Sequence, residues 1–140
     1  MKMCRAVLPQ MKKQGKGFIV NVNTMGTKMR PYADETSYDV SKAALLVATR
    51  SLAYEVAQFG IHVNSVFPGS MKGPSTEGWV KSLVGKRTED EIWQRIGKQT
   101  AMRRVPTDEE VALATLFLAS DYAAACTGAQ LDANGGAYLP

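Results

Sequence analysis

The sequence predicts an α/β fold built on a parallel sheet, and three observations carry the prediction. Two short β-prone runs, Phe18-Ile19-Val20-Asn21-Val22 and Ile61 to Phe67, flank a stretch from Ser37 to Phe59 that contains neither glycine nor proline. Turn residues close both runs at the same end, Asn23-Thr24 before Gly26 in the first and Pro68-Gly69 in the second. A third run, Ala129-Gln130-Leu131-Asp132-Ala133, alternates in polarity and stops at Asn134-Gly135-Gly136. Strand, helix and strand in succession make a βαβ unit, whose strands are parallel and whose ligands sit beyond the strands' carboxyl ends. Thr24 and Pro68-Gly69 both fall at such ends.

The elements follow in order. Arg5 to Lys13 reads as the end of a helix, with Ala6, Val7, Leu8 and Met11 apolar and Gly15 and Gly17 stopping it. After the first strand a loop runs to Thr36. The long helix places Leu45, Thr49, Leu52 and Val56 at helical spacing, and Gly60 supplies its stop. Residues 70 to 104 are the least regular, with glycines at 73, 78, 85 and 97, and read as a lid over the site. Within them Thr88-x-x-Glu91 opens one short amphipathic helix containing Ile92, Trp93 and Ile96. Thr107-x-x-Glu110, just after Pro106, opens another, in which Val111, Leu113, Ala114, Leu116, Phe117 and Leu118 predict burial on more than one side. Ser120-Asp121 ends it.

Length and composition bound the rest. A chain of 140 residues makes one domain, long enough to bury roughly two thirds of its unfolded surface. With 45% hydrophobic and 21% charged residues it is an ordinary globular composition, not a disordered tail or a coiled coil. No run reaches the ~18 apolar residues of a membrane helix, and no secretory signal opens the chain, so the expected location is cytoplasmic, with no membrane partner. The net charge of +4 is mild, and its one cluster, Lys12, Lys13 and Lys16, lacks interleaved aromatics; a solvated surface is expected, and no nucleic acid. Cys4 and Cys126 stand far apart without further ligands, and His62 is the only histidine, so neither a metal site nor a disulfide scaffold is expected.

Tyr38 and Lys42 lie four apart at the start of the long helix, on one face and one turn from each other. A phenol ordinarily loses its proton near pH 10, and a nearby ammonium favours the phenolate. A tyrosine tuned this way can give a proton to an alkoxide as a carbonyl is reduced, or take one as an alcohol is oxidised. The pair alone also fits a surface helical contact. What sharpens it is that Thr24 ends the preceding strand and Pro68-Gly69 the following one, so three elements converge on one sheet edge.

Four blocks, in order and at matching spacing, carry a resemblance that spans essentially the whole chain. They are Ile19-Val20-Asn21-Val22-Asn23-Thr24, Ser37-Tyr38-Asp39-Val40-Ser41-Lys42-Ala43-Ala44-Leu45, Ile61-His62-Val63-Asn64-Ser65-Val66-Phe67-Pro68-Gly69, and Thr127-Gly128 through Asp132 to Gly135-Gly136. Together they resemble the C-terminal half of a short-chain dehydrogenase/reductase. The resemblance implies the C-terminal part of a Rossmann-like doubly wound parallel sheet, about three strands with flanking helices, without the N-terminal dinucleotide-binding half. It implies an oxidoreductase that interconverts a carbonyl and an alcohol on a small-molecule substrate, with NAD or NADP as cofactor.

Residue by residue, the resemblance makes Tyr38 the general acid/base, with Lys42 favouring its ionised form and bonding the nicotinamide ribose. Thr24 stands where the family usually has a serine that holds the substrate oxygen; its hydroxyl can donate the same bond, while its methyl narrows the site. A strand-end cap is the other reading of Thr24. Pro68 and Gly69 would let the backbone approach the nicotinamide. The family often follows them with a threonine, and here Ser70-Met71-Lys72-Gly73-Pro74 intervenes, leaving Ser70, Ser75 or Thr76 as replacements. The resemblance also implies a homo-oligomer, through the helices flanking the Thr24 strand or through the last helix and strand.

Two features depart from the family. No glycine-rich phosphate turn follows a first strand, since the glycines at 15, 17 and 26 have the wrong spacing. The asparagine of the helix before the Thr24 strand, which completes the family's proton relay, has no counterpart here. An alternative function is therefore a non-catalytic fragment acting as an oligomerisation or interaction module. Of the remaining candidates, Asn64 reads as turn support, and His62, without a nucleophile elbow, as a partly exposed strand histidine. Met71, Trp79 and Trp93 could wall an apolar pocket or anchor helices. Arg103 and Arg104 could reach a cofactor phosphate or lie solvated.

Overall fold

The computed structural model describes residues 1–29, 35–85 and 87–140, and for Ser75 the backbone only. The end of the loop before Thr36, and Ser75 as a contact side chain, therefore lie outside the described residues. Helix α1 spans Lys2–Gln14, β1 Gly17–Val22, α2 Thr36–Val56, β2 Ile61–Pro68, α3 Pro74–Leu83, α4 Glu89–Gly97, α5 Asp108–Leu118 and β3 Gln130–Ala133. One-turn 3-10 helices follow β1 (Met25–Lys28), α2 (Ala57–Phe59) and α5 (Asp121–Ala123).

The three strands are parallel in the order β1-β2-β3, the arrangement predicted from the βαβ pattern. Register pairs Gly17 with Ile61 through to Val22 with Val66, and Ser65 with Gln130 through to Pro68 with Ala133. Asn23-Thr24, Gly69 and Asn134 consequently leave the sheet at the same edge.

β2 is central and covered on both faces, which is why six of its last seven residues are buried, the polar Asn64 and Ser65 among them. On one face Ile19, Ile61 and Val63 pack with Leu52, Ala53 and Val56 of α2 and with Cys4, Val7, Leu8 and Met11 of α1. On the other, Val66 packs with Val20, Leu131 and Ala133 against Ala114 and Leu118 of α5. A buried polar bridge seats α2 on the sheet: the Thr49 hydroxyl accepts from Asn21 Nδ2 at 2.8 Å and from the Ser65 hydroxyl at 3.2 Å. The sequence pattern did not point to this bridge, because Asn21 and Ser65 read as interruptions of apolar strands.

Both capping boxes form as predicted, with Thr88 and Glu91 opening α4 and Thr107 and Glu110 opening α5. Two expectations are corrected. Residues 70–104 hold two helices rather than one: α3 starts with Pro74 in its first turn, and Val80 packs against Ile92 and Trp93 of α4, with Ile96 and Val105 beside them. This small cluster is tied to α5 through the backbone, where Lys72 N–H donates to Pro106 O and Asp108 N–H to Lys72 O. α5, in turn, is buried on one side only. Ala114 and Leu118 pack on the sheet and Val111 is buried, whereas Leu113, Leu116 and Phe117 are exposed.

Gly60 ends the 3-10 turn that follows α2, in the left-handed region (φ 70°), where a Cβ would also overlap the Gly15 carbonyl between α1 and β1. A glycine is required there by both counts.

Candidate active site

Thr24 stands just past β1 and caps the 3-10 turn Met25–Lys28. Its hydroxyl oxygen accepts from Gly26 N–H at 3.2 Å, and its carbonyl accepts from the Thr27 hydroxyl at 2.9 Å. The strand-end cap is thus formed. An oxygen that accepts in this way still has its own O–H to donate outward, so the capping role and a substrate contact are chemically compatible.

Tyr38 and Lys42 lie in the first two turns of α2. The tyrosine ring is 45% exposed, and Lys42 Nζ stands 5.6 Å from its centre, so the two side chains share one face as the spacing predicts. Lys42 Nζ donates to the carbonyl of Val22 at 2.9 Å. That bond fixes the ammonium over the last residue of β1, two residues before Thr24. The first turn of α2 also closes on the Thr24 turn, for a Cβ on Gly26 would stand 3.1 Å from Asp39 Oδ1 and 3.5 Å from Thr24 Oγ. Gly26 keeps this approach open.

At the end of β2, Pro68 is buried and Gly69 and Ser70 are half-buried. A Cβ on Gly69 would meet Met25 Sδ at 2.9 Å and Asn134 Cβ at 3.0 Å, so the residues after all three strands pack against one another here. Asn23 and Asn134, neither singled out from sequence, are buried at this edge. Each accepts a backbone N–H through its Oδ1, while its Nδ2 is buried without an acceptor among the described residues.

Other candidates resolve into supports. Asn64 accepts from Ala129 N–H and donates to Cys126 O, holding the approach to β3, which is the turn support expected of it. His62 stacks on Phe18 and lies 3.0 Å from Cys126 O through Nδ1. Trp93 is buried in the α3–α4 cluster, whereas Trp79 is half exposed. Arg104 forms a bidentate pair with Glu110, both contacts at 2.6 Å. That fork, with the Thr107 N–H, holds the Glu110 carboxyl down to about pKa 2. The Arg103 guanidinium bonds the Lys98 carbonyl. A cavity of about 390 Å³ lies between α5, β3 and residues 101–106, and its walls include none of Thr24, Tyr38 and Lys42.

A family model described as enoyl-(acyl carrier protein) reductase matches residues 1–138. An oxidoreductase of Burkholderia thailandensis, described as belonging to the short-chain dehydrogenase/reductase family, superposes with a TM-score of 0.83 at 31% identity, over 96% of this chain and 50% of that one. The chain belongs to the short-chain dehydrogenase/reductase family. Among curated short-chain relatives, an oxidoreductase of Thermotoga maritima is 37% identical over 138 residues, 96% of this chain and 52% of that protein. The oxidoreductase UcpA of Salmonella typhimurium is 37% identical over 97% of this chain and 51% of its own length. The aldohexose dehydrogenase of Thermoplasma acidophilum superposes with a TM-score of 0.88 at 26% identity, over 98% and 55% of the two chains. The chain therefore spans about half the length of the curated relatives it matches. Several of these relatives are named as oxidoreductases or dehydrogenases.

Proposed function

We propose that this chain carries the proton-transfer and nicotinamide-facing part of an NAD- or NADP-dependent reductase/dehydrogenase that interconverts a carbonyl and an alcohol. The observation that carries the reading is the Tyr38–Lys42 pair on one face of α2, with Lys42 bonded to the carbonyl of Val22 beside Thr24. Tyr38 Oη gives its proton to the carbonyl oxygen as the alcohol forms and takes it back in the reverse direction. Thr24 donates its hydroxyl hydrogen to the same oxygen, its lone pair being engaged by Gly26 N–H.

The donor set fits the nicotinamide end of the cofactor. Lys42 uses one of its three N–H groups on Val22 O, which leaves two for the ribose hydroxyls. The backbone of Pro68, Gly69 and Ser70 leaves the sheet at the same edge and would flank the ring. When bound, the nicotinamide supplies or accepts the hydride. The pyrophosphate end has no counterpart among these residues, since the sequence contains no glycine-rich turn of the required spacing.

Residues 70–104 would serve as the lid that shapes the substrate pocket. Association between copies through α2 or through α5 and β3 is part of the proposal, supported by exposed apolar residues on both helices: Val40, Val47 and Tyr54 at seven-residue spacing, and Leu113, Leu116 and Phe117.

The first test is a titration of NADH and NADPH into the 140-residue chain by nicotinamide fluorescence, with circular dichroism as the check on folding. Saturable binding would justify a carbonyl screen of this chain, whereas a folded chain that does not bind would show that it cannot act alone. In the complete enzyme, Tyr38→Phe is expected to lower turnover roughly 10²–10⁴-fold with cofactor affinity nearly intact. Retained turnover in that variant would defeat the assignment of Tyr38.

A further inference from the structure

Lys28 and Asp132 are 104 residues apart and were given no role by the sequence pattern, yet they meet at the sheet edge that holds the candidate site. Lys28 Nζ lies 2.9 Å from both carboxylate oxygens of Asp132. The two side chains are only 13% and 22% exposed. The same ammonium sits 3.9 Å from the centre of the Phe67 ring, which is fully buried at the end of β2. Phe67 and Asp132 are register partners across β2 and β3.

One ammonium thus ties together the ends of all three strands. Lys28 is the last residue of the 3-10 turn that Thr24 caps, and the turn's other polar contacts are local, within Asn23 to Thr27 and to Val66 O. A partly buried pair favours one arrangement, because any shift that parts the ions leaves a charge without its partner in a low-dielectric place. Contact with the π-face of Phe67 adds a second, directional restraint on the same cation.

We propose that Lys28 is a positioning residue: its pairing with Asp132 fixes the Thr24 turn against the ends of β2 and β3, and so sets where the Thr24 hydroxyl meets the substrate oxygen. The inference rests on the reading of Thr24 as the substrate-oxygen donor. Phe67 would hold the cation between the strands while Asp132 supplies the charge that keeps it there.

The test compares Lys28→Met, Lys28→Arg and the double variant Lys28→Met/Asp132→Leu, which removes both charges and leaves neither unpaired. Amide hydrogen exchange of Gly26 and Thr27 in the 140-residue chain is the first readout. Exchange is expected to rise at least about tenfold in the double variant, with the β2 amides unchanged, and to return toward wild type in Lys28→Arg, whose fork can also hold the carboxylate. Unchanged exchange in the double variant overturns the proposal.

Turnover is the second readout. The double variant should recover most of the thermal stability lost in Lys28→Met, while its kcat stays about tenfold low and its KM values remain within about twofold. A merely structural pair would bring kcat back with stability, and that result also overturns the proposal. Thr24→Val measured alongside reports on the underlying reading separately: if it turns over like wild type, the assignment of Thr24 as substrate-oxygen donor falls, while the exchange data still decide whether Lys28 holds the turn.

Discussion

Thr49→Val probes how α2, the helix that carries the proposed acid/base pair, is held to the sheet. The Thr49 hydroxyl is a single buried acceptor shared by two strands, taking bonds from Asn21 Nδ2 on β1 at 2.8 Å and from Ser65 Oγ on β2 at 3.2 Å, while donating to Leu45 O at 2.8 Å. Valine keeps the volume and removes the acceptor, so the cost is polar and not a cavity. Ser65 is wholly buried and would be left with an unsatisfied donor, a penalty of about 1–3 kcal/mol. Asn21 is only half-buried and can turn to water, so its loss is nearer the net value of one hydrogen bond, about 1 kcal/mol. Leu45 O keeps its helical partner and adds nothing. The expected loss is about 2–4 kcal/mol, read from urea unfolding at constant m. Thr49→Ser is the control: it keeps the hydroxyl and removes one methyl group, which costs about 0.8 kcal/mol in transfer energy. The reasoning fails if Thr49→Val is no worse than Thr49→Ser, or costs less than about 0.5 kcal/mol. Thr49 stands two turns beyond Lys42 on the same face, and Asn21 precedes the residue whose carbonyl Lys42 bonds, so the bridge also sets the height of Lys42 above β1.

Further outcomes are expected elsewhere. Gly60→Ala forces a left-handed residue to carry a side chain and drives its Cβ onto Gly15 O; a loss of about 3 kcal/mol is expected by chemical denaturation, combining about 1–2 for the conformation with about 1–3 for the overlap. Glu110 is held near pKa 2, first by its hydrogen bond from Arg104 and then by the Thr107 N–H, against 4.5 for an unperturbed group. A depressed carboxyl contributes stability that is present above pH 4.5 and lost as the pH falls from there toward 2. Wild type and Glu110→Gln should therefore differ in urea midpoint at pH 6, with the difference shrinking below pH 4.5 and closing only as the pH passes about 2, and it should also shrink in high salt because the pair is exposed. Gly69→Ala should displace Met25 or Asn134 and lower stability by about 1–3 kcal/mol, with tryptophan fluorescence following the unfolding transition.

What could be read from the chain was what a short stretch of sequence encodes. The two capping boxes, the glycine stop at Gly60 and the apolar stripe of α2 all act over a few residues, and each forms where the pattern places it. Tyr38 and Lys42 share a face because helical spacing alone decides it. The α3 helix escaped because glycines at 73, 78 and 85 masked a stretch whose start signal was Pro74 in the first turn. α5 misled in the opposite sense: apolar residues on two sides predict burial on two sides, but Ala114 and Leu118 pack on the sheet while Leu113, Leu116 and Phe117 stay exposed.

The contacts that assemble the site were beyond any local pattern. Lys42 reaches back 20 residues to Val22, Asn64 forward 65 to Ala129, and Lys28 forward 104 to Asp132. In a parallel sheet this is unavoidable, since each strand end that carries a functional group is separated from the next by a whole crossover, and the polar groups that pin those ends must pair across it. The same geometry explains why Met25, Gly69 and Asn134 crowd one edge: three chain segments that leave a twisted sheet side by side have room for one small residue between two larger ones, and Gly69 takes the central place because β2 is the central strand. The residues proposed to do the chemistry are named from spacing, while the residues that hold them in place are found only where the strands end together.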